Sequence, residues 1–276
     1  MSSSPSLPQE DSSTTSQPAK AATILLQRRA TRTSLTEWAR FCGFEPAAHQ
    51  RLLIEKLEAV SRGEIDRLLV CMPPGAAKST YTSVLFPGYF LANHPGASII
   101  AASHTTELSE RWGRRVRNLI IEHGTTLGLA LQADSQAAGR WQLQSGGEYL
   151  AAGVGQAILG FRADLGIIDD PVRSRDDAAS ETIRRGIWDW FSTDLKTRLK
   201  PGGRLVIIST RFHEDDLVGH VLAASEKDDK WETLILPAIA EDNDPLGRTS
   251  GDFLWDDDPA YEYGAVLRRE HATQSP

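Results

Sequence analysis

Cysteine is scarce: the 276 residues hold only Cys42 and Cys71, with no CxxC pair and no Cys/His group at metal-ligand spacing. That excludes a disulfide framework and a structural zinc site, and makes a reducing cytoplasm the default compartment. Long apolar runs are missing too, and no basic N-terminal stretch leads into an apolar one. Neither a membrane partner nor secretion is therefore expected. An excess of positive charge is also absent. The formal net charge is −7, and nine acids against three bases over 241–276 account for most of it, which leaves 21–240 electrically balanced. Net charge then neither supports nor excludes a polyanionic partner.

What is present is an ordinary globular composition, 40% hydrophobic and 24% charged, sufficient for a core without disulfides. Residues 1–20 are rich in Ser, Thr and Pro and read as a disordered tail. A single α/β domain is expected over 21–240, and an acidic linker over 241–276. Apolar spacing predicts a helix from His49 to Val60, ended by Gly63, and a buried strand from Arg67 to Met72 that runs into Pro73-Pro74-Gly75. A helix from Lys78 to Leu91 follows. Strand and helix then alternate: strand Ala97 to Ser103, helix Thr105 to Glu122, a hairpin of Arg140 to Gln144 and Glu148 to Val154, strand Asp164 to Asp170, helix Ser180 to Phe191, strand Arg204 to Thr210, helix Glu214 to Ala224 and strand Trp231 to Pro237. Apolar strands alternating with helices imply a largely parallel sheet sandwiched between helices. In such sheets ligands bind beyond the carboxyl ends of the strands.

Three strand ends carry chemistry. The first is MPPGAAKST, Met72 to Thr80. A nucleoside triphosphate needs backbone N–H groups at a helix start, a Lys for the outer phosphates and a hydroxyl for Mg²⁺, and Lys78 and Ser79 fit the last two. The strict pattern GxxxxGK[ST] is not met, because Met72 and Ala77 stand at its glycine positions, and a plain strand-turn-helix with a surface Lys is the other reading. The second is DLGIIDDP, where Asp169 can hold the metal and Asp170 can orient or deprotonate a water; an Asp pair that caps a helix is the other reading. The third is IISTRFHEDD, where the Ser209 and Thr210 hydroxyls can meet the γ-phosphate or its water. Arg211 is open to two readings, a catalytic group or a partner of Asp215 or Asp216.

In order and spacing, PPGAAKSTYTSVLFPGYFL, IIAASHTTELSERWGRRVRNLI, GFRADLGIIDDPVRSRDDAASETIRRGIWDWF, TRLKPGG and STRFHEDDLVGH resemble the large subunit of tailed-phage terminases, the motor that packages DNA into proheads. The resemblance implies a P-loop NTPase of ASCE type. It implies ATP bound by Pro74, Gly75, Ala76, Ala77, Lys78, Ser79 and Thr80, Mg²⁺ on Ser79 and Asp169, Asp170 as the base, and Ser209 and Thr210 as a coupling motif. Many terminases have Glu where this chain has Asp170. Where the family often carries an Arg before the loop Lys this chain has Gly75, so Arg162 is the first candidate for a charge-stabilising Arg and Arg211 the second; a salt bridge from Arg162 to Asp164 is the alternative. Gln50 stands where the family places an adenine-recognising Gln, or is simply a polar helix position.

The partners implied are double-stranded DNA, a portal protein, a small subunit and further copies in a ring, in the cytoplasm of a bacterial host. For DNA the local feature is Arg111, Arg114 and Arg115 on one face of a helix, where they could track phosphates or be a solvated face beside Glu107 and Glu110. The family's nuclease domain is expected to be absent, since the chain ends where a hinge would lead into it. A truncated prophage remnant that binds nucleotide without packaging, and a helicase-like ATPase of another family, are the alternative readings.

Overall fold

The computed structural model describes residues 17–225, 230–256 and 262–274. The chain opens with three helices: α1 (Gln17–Thr33), α2 (Leu35–Phe41) and α3 (Ala48–Arg62). Strand β1 (Arg67–Cys71) leads through the Pro73-Pro74-Gly75 turn into a π-wound segment, Thr80–Leu85, and then α4 (Phe86–Asn93). Next come β2 (Ser98–Ser103), α5 (Thr106–Leu127), β3 (Leu131–Gln136), β4 (Arg140–Leu143), β5 (Glu148–Gly153) and β6 (Ala163–Asp169). Helices α6 (Arg175–Ala179) and α7 (Glu181–Trp190), a second π-wound segment Phe191–Leu195, and α8 (Lys196–Arg198) lead to β7 (Leu199–Ser209). The chain closes with α9 (Leu217–Ser225), β8 (Glu232–Ile235) and α10 (Tyr263–Gln274).

The eight strands form one sheet in the order β3-β4-β5-β2-β6-β7-β1-β8. From β5 to β8 every pairing is parallel, and only β3/β4 and β4/β5 are antiparallel. The central strands are buried on both faces, so their side chains divide alternately between two cores. Leu68, Val70, Ile99, Ile167 and Val206 join α2, α3, α4 and α5 in one. Leu69, Ile100, Ile168, Leu205 and Ile207 join α7 and α9 in the other. This is the expected sheet between two helical layers.

Register does the rest. Because β7 lies between β1 and β6, Cys71 sits opposite Ser209, and Asp169 opposite both Ile208 and Ser103. The three chemically loaded strand ends are thereby adjacent.

Two expectations change. Helix α1 starts at Gln17, inside the stretch read as a tail; residues 1–16 lie outside the described residues. The 241–276 segment is not a separate linker, since Leu254, Tyr263 and Leu267 are buried in the first core and α10 packs there; Asp257 and Asp258 of its acidic run lie outside the described residues. Helix α1 had no apolar stripe to betray it, as residues 21–29 are all exposed. Strand β3, LQADSQ, is an edge strand whose polar sequence gives no apolar run.

Candidate functional site

The loop after β1 turns sharply. Gly75 has φ +83° and Ala77 φ +62°, the left-handed region in which glycine costs nothing and alanine is strained. Ala77 thus adopts the backbone that a glycine would supply at the second position of the phosphate-loop pattern. Lys78 and Ser79 then open the helix, whose first N–H groups lack partners one turn back, the Thr80 N–H bonding Ala77 O at 3.0 Å.

Lys78 is 5% exposed and its ammonium turns inward, donating to Thr210 Oγ1 at 2.9 Å and pairing with Asp170 Oδ2 at 3.0 Å. The other Asp170 oxygen accepts the Thr210 N–H at 2.7 Å. Asp170 itself has φ +45°, a strained conformation held by its N–H to Ile208 O at 2.9 Å and by His104 Nδ1 against its carbonyl at 3.1 Å. Asp169, 2% exposed, accepts from Ser79 Oγ at 2.9 Å and from Ser83 Oγ at 2.6 Å. Burial, and then the charge of Asp170, push its carboxyl up to about 7, against the pull of Ser83, Ser79 and Lys78.

Five residues picked from separated segments, Lys78, Ser79, Asp169, Asp170 and Thr210, are therefore brought into one cluster. Ser209 is buried in the same strand end, with its hydroxyl on Thr210 O at 3.2 Å. A Mg²⁺ suits this donor set: one hydroxyl and one carboxylate, both hard oxygens, are bound to each other at 2.9 Å, and Mg²⁺ completes its shell with water and phosphate oxygens rather than a protein cage. No cluster of three or more His, Cys, Asp or Glu able to hold a metal occurs among the described residues.

A cleft of about 930 Å³ opens beside the loop, lined by residues of the 43–51 stretch and by Trp255 and Tyr263. Gly75, Ala77, Lys78, Ser79 and Thr80 form its floor. Gln50 is buried at its edge, its Oε1 accepting from Ala47 N at 2.8 Å and Tyr81 OH at 3.1 Å. Pro74 and Ala76 complete the loop, each with its carbonyl taken: Tyr263 OH donates to Pro74 O, and His49 Nε2 lies 3.1 Å from Ala76 O.

Other candidates are not brought together. Arg162 is exposed and precedes β6, at the amino edge of the sheet, whereas Asp169 ends it; the seven residues of β6 put Arg162 about 23 Å from the site. It cannot reach the Lys78–Asp170 cluster of its own chain. The alternative pairing with Asp164 also fails, since Asp164 pairs with Lys200 at 2.8 Å and Arg162 reaches only Leu199 O at 3.4 Å. Arg211 lies at the carboxyl edge, held by Glu214 O at 3.0 Å and by Asp216 Oδ1 at 3.7 Å. Arg111 and Arg115 flank the Trp112 ring, their guanidinium carbons 5.8 and 5.4 Å from its centroid, with Arg114 exposed beside them. Burial, then the charge of Arg111, lower the pKa of Arg115. None of the three ion-pairs with Glu107 or Glu110 among the described residues.

Sequence reasoning missed Ser83, Trp255, Tyr263 and His49. Ser83 follows Ser79 at i+4 in a chain segment already flagged, and that spacing was the available signal. Trp255 and Tyr263 reach the loop only through tertiary folding of the terminal segment, and nothing local marks them.

Residues 70–261 match the family model for the N-terminal part of the terminase large subunit, T4-like-virus type. The fold is similar to the large terminase of bacteriophage HK97, with TM-score 0.52 at 12% identity over 79% of this chain and 46% of that one. The large terminase of a thermophilic bacteriophage has TM-score 0.45 at 12% identity over 80% of this chain and 49% of that one. The chain thus spans about half the length of these two proteins. The large terminase ATPase domain of Thermus phage P74-26 has TM-score 0.48 at 14% identity over 72% of this chain and 84% of that one. No curated protein matches the chain.

Proposed function

The chain belongs to the terminase large-subunit family, and from that premise we propose that it hydrolyses ATP to drive DNA translocation during phage genome packaging. The observation that carries this reading is the Lys78–Asp170–Thr210 cluster beside the Ser79–Asp169 pair, assembled from three strand ends beside a cleft large enough for a nucleotide.

Triphosphate oxygens would draw Lys78 off Asp170, because the multiply charged phosphate outbids a single carboxylate. Asp170 would then be free on one oxygen while the Thr210 N–H holds the other. A water between Asp170 and the γ-phosphorus attacks in line, the bond to the β–γ bridging oxygen breaks, and Asp170 takes the water's proton. A Mg²⁺ on Ser79 and Asp169, when bound, supplies charge neutralisation for the phosphates. Thr210 senses the change, since it contacts both Lys78 and Asp170 and opens the loop that runs to α9. Gln50, tied to Ala47 N and Tyr81 OH, keeps its amide nitrogen for an adenine edge.

The partners follow from the family: double-stranded DNA, a portal, a small subunit and further copies in a ring. Arg111, Arg114 and Arg115 are the proposed phosphate-tracking group, supported by their lack of ion-pair partners among the described residues. The charge-stabilising arginine is Arg211 in cis, or Arg162 reaching the site of a neighbouring copy. Steady-state hydrolysis by Lys78→Ala is the test: the reading expects loss of turnover with a native circular dichroism spectrum, and an undiminished rate sinks it.

A further inference from the structure

Ser79 binds one oxygen of Asp169, and the other is taken by a residue beyond the phosphate-loop pattern itself. Ser83 Oγ donates to Asp169 Oδ2 at 2.6 Å while Ser79 Oγ donates to Oδ1 at 2.9 Å. Positions i and i+4 lie on one helical face, so both hydroxyls arrive from the same side. The backbone between them is π-wound, its wide turn closed by Phe86 N–H on Tyr81 O. Such turns recur at functional sites.

The two serines are not equivalent. Ser79 is half-buried and lines the cleft, so its oxygen is open to a cation there. Ser83 is 1% exposed, with its hydroxyl committed to Asp169. A donor so enclosed has no competing water, and its acceptor is left with one orientation. Thr82, next to it, is 0% exposed and its hydroxyl has no partner among the described residues. Burying a hydroxyl in this turn is therefore tolerated without any bond, and the Ser83 contact is a specific pairing.

We propose that Ser83 is a positioning residue for the cation: it holds the Asp169 carboxylate in the orientation in which, with Ser79, it receives Mg²⁺. The inference rests on the nucleotide reading of this site. It predicts an effect on metal affinity that is separate from nucleotide affinity, as outer partners of metal-binding carboxylates behave.

The test titrates Mn²⁺ into the full chain with saturating ADP, following free Mn²⁺ by electron paramagnetic resonance, and measures ADP binding without metal by equilibrium dialysis. Ser83→Ala should weaken Mn²⁺ binding about tenfold or more, Ser83→Cys by an intermediate factor, and Thr82→Val not at all, with metal-free ADP affinity unchanged in each. Wild-type Mn²⁺ affinity in either Ser83 variant with a native circular dichroism spectrum overturns the proposal. So does an equal loss in Thr82→Val, or a parallel loss of metal-free ADP affinity, either of which makes Ser83 merely structural. If the wild-type chain binds no ADP, the nucleotide reading falls and this inference with it; if it binds ADP and only the Ser83 prediction fails, the nucleotide reading stands.

Discussion

The carboxyl edge of the sheet and the first half of α5 both concentrate charge, and they hold it in opposite ways. At the edge, Lys78, Asp169 and Asp170 are wholly or largely withdrawn from water and bound at 2.6–3.0 Å to partners fixed by strand register. On α5, Arg111 and Arg114 face solvent and Arg115 is half-buried, with Arg111 and Arg115 resting on the Trp112 ring. Buried charges need defined partners, because desolvation is repaid only by good geometry. Exposed guanidiniums need none. The first arrangement suits chemistry on one bound molecule, and the second suits attraction to a polyanion of any sequence.

The comparison breaks most decisively at Lys78. Lys78→Ala removes the one cation inside the edge cluster, and a loss of at least about 100-fold in ATP turnover is expected, the range for deleting one fixed electrostatic group. A Lys78→Ala protein that hydrolyses ATP within a few-fold of wild type would mean the buried cluster is structural.

Next in size is the cost of keeping Asp169 buried. Its folded pKa of about 7 lies above the ordinary carboxylate value. Between about pH 4 and 7 the folded state therefore binds more protons than the unfolded one, and stability falls as pH rises through that window. Asp169→Asn abolishes this dependence. The variant, without nucleotide or metal, should be more stable than wild type near pH 8, on the order of 4 kcal/mol, and the gain should vanish near pH 4. Urea melts at the two pH values decide it; a variant less stable at pH 8 would show that the serine bonds outweigh the desolvation.

The exposed group answers to a different measurement. Replacing Arg111, Arg114 and Arg115 together with Ala should lower the slope of log affinity against log salt for double-stranded DNA by about 3, roughly 0.9 for each phosphate no longer neutralised. An unchanged slope moves the DNA surface elsewhere. A loss of affinity with the slope intact would point to misfolding around Trp112 instead.

The same contrast governs what could be read from the chain. Strand positions were legible because double burial leaves apolar runs: β1, β2, β6 and β8 lie within two residues of their expected limits. So were Lys78, Ser79, Asp169, Asp170 and Thr210, since strand ends carry their own punctuation. Strand β7 begins at Leu199, earlier than expected, but its ladder to β6 is interrupted there: Leu199 pairs with Ala163 and Arg204 with Leu165, so residues 200–203 bulge out of the register. Helices α1, α2 and α10 were not read. Helix α1 is largely exposed, and the burial of α2 and α10 is decided by what they pack against, as when the Trp38 indole of α2 donates to Leu85 O at 3.1 Å. Arg162 was misplaced for a related reason: a position shortly before Asp169 in sequence is at the far end of an extended strand in space.

The smallest effect asks whether the edge cluster is also strained. Two non-glycine residues with φ in the left-handed region, Ala77 and Asp170, sit within it, while α5 has none. Ala77 stands at the position where the phosphate-loop pattern has glycine, and yet the chain makes the same turn, so surrounding contacts must enforce a conformation that alanine disfavours. Ala77→Gly should relieve about 1 kcal/mol of that strain, partly offset by the greater entropy of glycine in the unfolded chain. The net expectation is a small rise in melting temperature of about 1–2 °C with ADP affinity unchanged or slightly better. A clear drop in melting temperature would mean the alanine methyl packs favourably here, in which case the missing glycine is an adaptation of this loop and not a tolerated defect.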